Sequence, residues 1–563
     1  MLTAPHLRPS PAIFIFAAIV CAQVATAEST TTFYVNGNIH TMSEAKPHAD
    51  AMAVRAGRII AIGTEAEVRQ AAGEESEIID LRGRTVLPGL IDAHGHLLGL
   101  GAFGVGKLDL SGAKSFDEVI AAVREKAAAA KQGEWIVGGR WDHESWPDKK
   151  LPSHAALSAA TPDNPVWITR VDGHAGLANA AAMKLADVDG RSVSPSGGEI
   201  LKDDVGQPTG IFVDRAMGLI GEKIPAGQFD TAAMLLKAQE MCFSVGLTGV
   251  HVAGVSPEEL KIYQSLADSG KLKLRVHVMI DGADAIEYFT ANEPRSGEVL
   301  NVRACKLYMD GALGSRGAWM LEPYADRATD AERQPYTGLA LTPRATMEEI
   351  VAAGLRLGFQ VCTHAIGDRA NREVLDIYEA ALKGPEDADA RFRIEHAQIL
   401  SEADIPRFAQ LGVIASMQPT HCTSDMRWVE DRIGSERAAG AYAWRSLKNA
   451  GARLALGSDF AVESHNPFLG IYAAVTRQDA DGNPPNGWRA SERLTREEAL
   501  AGFSRDAAYA SFDEDNRGTL AVGKFADFVV IDRDVMNCPE SEIREAKVLA
   551  TYVGGNCVAG NVP

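Results

Sequence analysis

The sequence predicts an α/β protein: a (β/α)8 barrel carrying a small β-sandwich built from both termini and an inserted subdomain after the first barrel strand. Three observations predict it. Eight apolar runs, each ending in polar residues, alternate with helix-like segments through the middle of the chain. Short strands broken by tight turns occupy both ends. One gap between barrel strands is roughly 150 residues long, more than a connecting loop requires.

Composition supports a large fold. A chain of 563 residues, 46% of them hydrophobic, can bury an extensive core, and its length suggests more than one domain. The formal net charge of −19, with no basic run anywhere, argues against nucleic acid as a partner. Acidity of this size mainly favours solubility.

The elements follow in order. Residues 1–27 contain the apolar segment "AIFIFAAIVCAQVATA" and end in Ala25-Thr26-Ala27, the pattern of a secretory signal peptide cleaved after Ala27. A secreted or periplasmic mature protein is expected. The run is short for a membrane span, and Val20 before Cys21 is bulkier than lipid attachment prefers. No later stretch reaches spanning length, so no membrane span is expected in the mature chain.

Residues 28–88 read as the first part of the sandwich, through "TFYVNGNIHTM", "AMAVRAGRIIAIG" and "EIIDLRGRTVLPG", with Asn-Gly and Ala-Gly-Arg at tight turns. Residues 89–512 read as the barrel, with the insertion at about 100–240. Its strands are "TVLPGLIDAHGH", "GLTGVHVAG", "LKLRVHVMI", "VRACKLYMDG", "FQVCTHAIGD", "FRIEHAQIL", "GVIASMQPTH" and "RLALGSDFAVE". Helices are expected at "AAVREKAAAAKQG", "TMEEIVAAGLRLG" and "RANREVLDIYEAALKG". Residues 513–563 complete the sandwich through "GTLAVGKFADFVVIDRD" and "VLATYVGGNCVAG". The mature chain's six cysteines form no CxxC pair and read as buried free thiols.

Chemistry concentrates at the ends of barrel strands. His94 and His96 are two apart on a strand, so both rings face the barrel axis, and Gly95 permits close approach. His364 closes the fifth strand, His396 the sixth and Asp459 the eighth. Four imidazoles and a carboxylate at one mouth match the donors preferred by Zn2+ and similar divalent ions.

Lys306 ends the fourth strand, where a plain ammonium would repel such an ion. It reads either as salt-bridged to Asp310 or another carboxylate, or as carboxylated by CO2 to an anionic carbamate. Two divalent ions offset by Asp459, a carbamate and a hydroxide would leave a modestly positive site suited to polarising a carbonyl. Arg316 and His421 follow barrel strands and read as holding an oxyanion or substrate carboxylate, or equally as a salt-bridged arginine and a buried histidine. Trp141, His143, His174 and Asp214 in the insertion are candidates to line the pocket, Trp141 equally for packing and Asp214 for anchoring a helix. His465 and Glu463 lie beyond Asp459 in reach of substrate, while His251 and His277 read as core or supporting residues.

These motifs resemble the amidohydrolase superfamily: HxH after strand one, Lys after four, His after five and six, Asp after eight. The resemblance covers nearly the whole mature chain. It is closest to the long metal-dependent hydrolases of family 3 that include N-substituted formamide deformylase, through "GGRWDHESWP", "VDGHAGLANAAAM", "PTGIFVDRA", "KLYMDGALGSRGAWM" and "SMQPTH".

The resemblance implies that His94 and His96 ligate a more buried metal shared with Lys306 and Asp459, and that a carbamylated Lys306 bridges to a second metal on His364 and His396. A single ion on His94, His96 and Asp459 stays open. Asp459 is then the catalytic proton carrier. The function implied is an exported metal-dependent amidohydrolase, zinc the expected ion, cleaving an amide, N-acyl, N-formyl or cyclic-amide bond of a small molecule. Esterase, lactonase or deaminase chemistry on the same fold is the alternative; a non-catalytic regulatory or binding protein is another. Lys306, and the lack of a His-x-x-Glu spacing in "HAIGD", argue against the deaminase. Homo-oligomerisation stays open.

Overall fold

Near-continuous apolar runs need cover on both faces, and a barrel wrapped in helices provides it. The computed structural model describes residues 30–562 apart from 74–75, 226, 228, 331–333 and 384–388. Eight strands form one parallel sheet: β1 (Leu90–Gly95), β2 (Leu247–Val255), β3 (Arg275–Asp281), β4 (Leu300–Tyr308), β5 (Gln360–Ala365), β6 (Arg393–His396), β7 (Ile414–Met417) and β8 (Leu454–Leu456). Neighbours in the sheet are neighbours in the chain, from β1 to β8.

The sheet nearly closes on itself through residues just past β8. The Asp459 N–H donates to His94 O at 2.8 Å, and the His96 N–H to Phe460 O at 2.5 Å. Asp92 holds the same seam, its buried carboxyl accepting from the His94 N–H and from the Ser458 N–H and hydroxyl. Burial pushes its pKa up to about 7 despite those bonds.

The run "TVLPGLIDAHGH" is two strands rather than one. Thr85–Pro88 pairs antiparallel with Phe528–Ile531 in an outer sheet, and Leu90–Gly95 enters the barrel. Gly89 makes the switch, because a Cβ there would lie 2.2 Å from Thr248 Oγ1.

Two outer sheets form the sandwich. One holds four N-terminal strands; the other joins three N-terminal strands to Phe528–Ile531, Val548–Val553 and Asn556–Gly560. Tyr34, Met52, Val86, Phe528, Val530 and Tyr552 fill the space between them. Ala56-Gly57 makes a hairpin turn with both residues in the left-handed region. Asn36-Gly37 does not: the strands flanking it, Thr32–Val35 and Asn38–His40, lie in different sheets.

Between β1 and β2 the insertion builds its own six-stranded sheet from Leu108–Asp109 to Pro208–Asp214. Helix Phe116–Ala128, capped by the Ser115 hydroxyl, covers one face, and helix Ala180–Leu185 packs in the cluster on the other. The two expected barrel helices appear at Arg344–Leu357 and Asp368–Leu382.

Helix Leu97–Gly104 lies against helix Thr231–Ser244 so closely that a Cβ on Gly101 would fall 2.0 Å from Met234 O. Gly101→Val is therefore expected to cost about 1–3 kcal/mol or more through overpacking. A thermal melt unchanged from wild type would refute that contact.

Cys242, Cys305, Cys362 and Cys422 are buried free thiols, as expected, whereas Cys538 is half-buried and Cys557 exposed. Among the described residues no helix is long and apolar enough to cross a membrane. The segment read as a signal peptide, residues 1–27, lies outside the described residues.

Candidate active site

The C-terminal ends of the barrel strands bring together His94, His96, Lys306, His364, His396 and Asp459 around one cavity of about 630 Å3. Asp459 Oδ1 lies 3.0 Å from His96 Nε2 and 3.8 Å from His94 Nε2. The rings of His94 and His364 flank that of His396, at centroid separations of 5.0 and 4.5 Å. One ligand atom each from His94, His396 and Asp459 falls within 4.8 Å of the others.

Local backbone makes this convergence. His96 sits just past β1, and Gly95 packs against the Phe460 ring, 2.6 Å from where a Cβ would stand. His396 and Asp459 adopt left-handed φ values of 76° and 58°, uncommon for non-glycine residues. At His396 this breaks strand alternation, so that both it and its neighbour Glu395 reach the barrel interior.

Electrostatics favour neutral rings at His94, His364 and His396 and an anionic carboxylate at Asp459. Burial and the Lys306 ammonium push the His94 pKa down to about 4. Burial also holds His364 and His396 well below the usual histidine range. For Asp459 burial works against the charge, yet His94 and His96 outweigh it and hold the carboxyl well below the usual carboxylate range.

Lys306 is buried, its Nζ 3.2 Å from His94 Nε2. The expected alternative, a salt bridge to Asp310, is not formed. Asp310 instead accepts from the backbone N–H groups of Trp319, Ile366 and Gly367. Among the described residues no carboxylate lies within salt-bridge distance of Lys306.

A second cavity of about 290 Å3 shares Asp172, His174, His364, His396 and Asp459 with the first. His421 lines this smaller lobe, its Nε2 3.7 Å from Asp459 Oδ2, and so does Glu463. His174 lines both lobes. Its Nδ1 lies 2.6 Å from Asp214 Oδ1, and Asp214 in turn rests on a glycine cradle. A Cβ on Gly311 or Gly317 would come within 2.5 or 2.6 Å of the Asp214 carboxylate, so the insertion is docked there onto the loop after β4.

Four pocket candidates line neither lobe. Trp141 is a core ring of the insertion, donating its indole N–H to Ile168 O at 3.0 Å. His143 sits among arginines, pushed down to about 2 by burial and by Arg170, Arg432 and Arg316. Arg316 is salt-bridged to Asp326 at 2.8 Å, the plainer of its two readings. His465 is packed edge-on to Phe460 at 6.4 Å between centroids.

Several residues at the site went unread in the sequence. Glu395 and Arg393 form a fully buried ion pair behind His94, Gln418 bonds His396, and Asp172, which lines both lobes, is paired with Arg170 in the wall of the smaller one. Arg393-x-Glu395 on one face of a barrel strand was the available signal. His251 and His277 lie deeper among the buried core residues, His251 against Arg393 at 2.9 Å.

The family model described as amidohydrolase family matches residues 77–559. The chain is 36% identical over 538 residues to Protein LONG AFTER FAR-RED 3 of Arabidopsis thaliana, covering 92% of this chain and 90% of that protein. It is 30% identical over 543 residues to N-substituted formamide deformylase of Arthrobacter pascens, covering 92% of this chain and 97% of that one. The crystal structure of an uncharacterized metal-dependent hydrolase from Pyrococcus horikoshii OT3 matches with a TM-score of 0.73 at 26% identity, over 91% of this chain and 99% of that chain.

Proposed function

The chain belongs to the amidohydrolase family, and from that premise we propose that it is an exported metal-dependent hydrolase cleaving a C–N bond of a small molecule. The bond is of amide, N-acyl, N-formyl or cyclic-amide type. One observation carries the reading: ligand atoms of His94, His396 and Asp459 gather within 4.8 Å, and among the described residues the buried Asp459 Oδ1 meets no well-aligned hydrogen-bond donor. Buried lone-pair donors with no proton to share are costly unless a cation meets them. The name of the deformylase relative supports the bond class, and the segment 1–27 supports export.

In this reading His94, His96 and Asp459 would hold one ion and His364 and His396 a second, with Lys306 serving both. Zinc suits this nitrogen and oxygen donor set. The Lys306 bridge is a carbamate, formed when the neutral amine adds CO2 and releases a proton. That modification replaces a buried positive charge, without a carboxylate partner among the described residues, with a negative one. A divalent ion, when bound, lowers the pKa of water toward neutrality and polarises a carbonyl.

The chain's own groups supply the rest. Asp459 faces His96 through one oxygen and His421 through the other, where a single carboxylate takes a proton from attacking water and returns it to the leaving nitrogen. His174 and His421 line the walls where substrate would lie, and the insertion shields one side of the mouth from bulk water.

The test is a panel of N-formyl, N-acyl and cyclic amides, esters, lactones and aminated bases offered to the metal-loaded mature protein, with released amine, acid or ammonia measured. Amides are expected to turn over fastest. Faster esters or lactones would move the function to that class, and ammonia from bases would make it a deaminase. A protein with neither metal nor turnover would be a binder.

Lys306→Ala is expected to lose about 100-fold in activity, at the upper end for a group that orients a metal centre. Added acetate or propionate should restore part of it by standing in for the carbamate. Activity unchanged in the variant would remove Lys306 from the bridge.

A further inference from the structure

Two imidazoles of the centre are held from behind by acceptors of different charge. His94 Nδ1 lies 2.5 Å from Glu395 Oε2, with both side chains fully buried. A carboxylate can only accept, so Nδ1 carries the proton and Nε2 keeps its lone pair for the cavity. Glu395 cannot turn away. Arg393 grips it through Nε at 2.7 Å and Nη2 at 3.0 Å. Arg393 is anchored in turn by Ala93 O at 2.6 Å, Ser416 Oγ at 2.9 Å and His251 Nδ1 at 2.9 Å.

His396 is held the same way by a weaker partner. Its Nδ1 lies 2.7 Å from Gln418 Oε1, while Gln418 Nε2 donates to Ser416 O at 3.2 Å. His396 therefore also presents Nε2, but the acceptor of its Nδ1 proton is a neutral amide. An ionised acceptor makes a hydrogen bond roughly twice as strong as a neutral one. It also raises the basicity of the ring's other nitrogen toward a metal.

Resting on the metal-hydrolase reading above, we infer that Glu395 is a positioning residue that makes His94 the stronger donor, with Gln418 its weaker counterpart behind His396. The ion on the His94 side therefore binds before the ion on the His396 side. Arg393 acts at one remove, by keeping Glu395 in register with the imidazole.

Full-length protein stripped by a chelator and dialysed against graded Zn2+, with bound metal quantified, tests this without any activity assay. Wild type should take up two ions in two steps. Glu395→Gln should weaken the first step by about 10–100-fold and the second by no more than about threefold, the range seen when a partner behind a metal-binding histidine is lost. Gln418→Leu should weaken only the second. The visible spectrum of the first bound Co2+ should change in Glu395→Gln and not in Gln418→Leu, a separation that a merely structural role would not produce. Because Glu395→Gln leaves Arg393 unpaired and can fail to fold, Gln418→Leu stands as the independent arm. Equal weakening of both steps, no shift in either, or uptake of a single ion by wild type overturns the inference while the hydrolase reading stands. Uptake of no ion overturns both.

Discussion

Asp459→Asn is expected to abolish turnover, lowering kcat by about 10⁴-fold, the upper end of what a positioned general acid or base contributes. The fold should survive the change. Asn has nearly the same shape, it tolerates the left-handed backbone that Asp459 adopts at φ 58°, and the seam bond from the residue 459 N–H to His94 O does not involve the side chain. What is lost is the carboxylate's charge and one of its two oxygens, of which Oδ1 lies 3.0 Å from His96 Nε2 and meets no well-aligned hydrogen-bond donor among the described residues. Steady-state kinetics with circular dichroism and metal analysis check the prediction. Near-normal kcat would take Asp459 out of its assigned role.

Removing the metal is expected to have a comparable effect. Chelation should silence hydrolysis, and zinc, cobalt or manganese should restore it. Stability should fall as well, since a ligand at 1,000 times its Kd contributes about 4 kcal/mol to the folded state. The stripped protein should therefore melt lower and recover on readdition. Full activity in protein shown by elemental analysis to hold no metal would contradict the proposed chemistry.

The barrel was legible because parallel strands covered on both faces must be apolar along their length, so their runs stand out whatever lies between them. The polar residues that end those runs were legible for the same reason. A charged or imidazole side chain at the close of an apolar run, as at Lys306, His364 and Asp459, lies at the one end of the barrel where polar groups gather.

Other features were hidden by rules that hold only on average. Alternation would turn Glu395 and His396 to opposite faces, and only a left-handed φ at His396 brings both inward. Trp141 and His143 lie close in sequence to polar residues suited to a pocket, yet the insertion needs its own core and arginine network, and both side chains serve those. Arg316 follows a barrel strand as a substrate-binding arginine would, but Asp326 occupies it. The split at Gly89 was unreadable because strands of the sandwich and of the barrel share the same apolar composition.

An anomalous difference map at the zinc edge, from crystals of the zinc-loaded protein, tests the central claim most directly. The account predicts a peak about 2.0–2.2 Å from imidazole nitrogens of His94 and His96 and a carboxylate oxygen of Asp459. Those side chains seen free of metal, with zinc found only on residues outside this cluster, would contradict it.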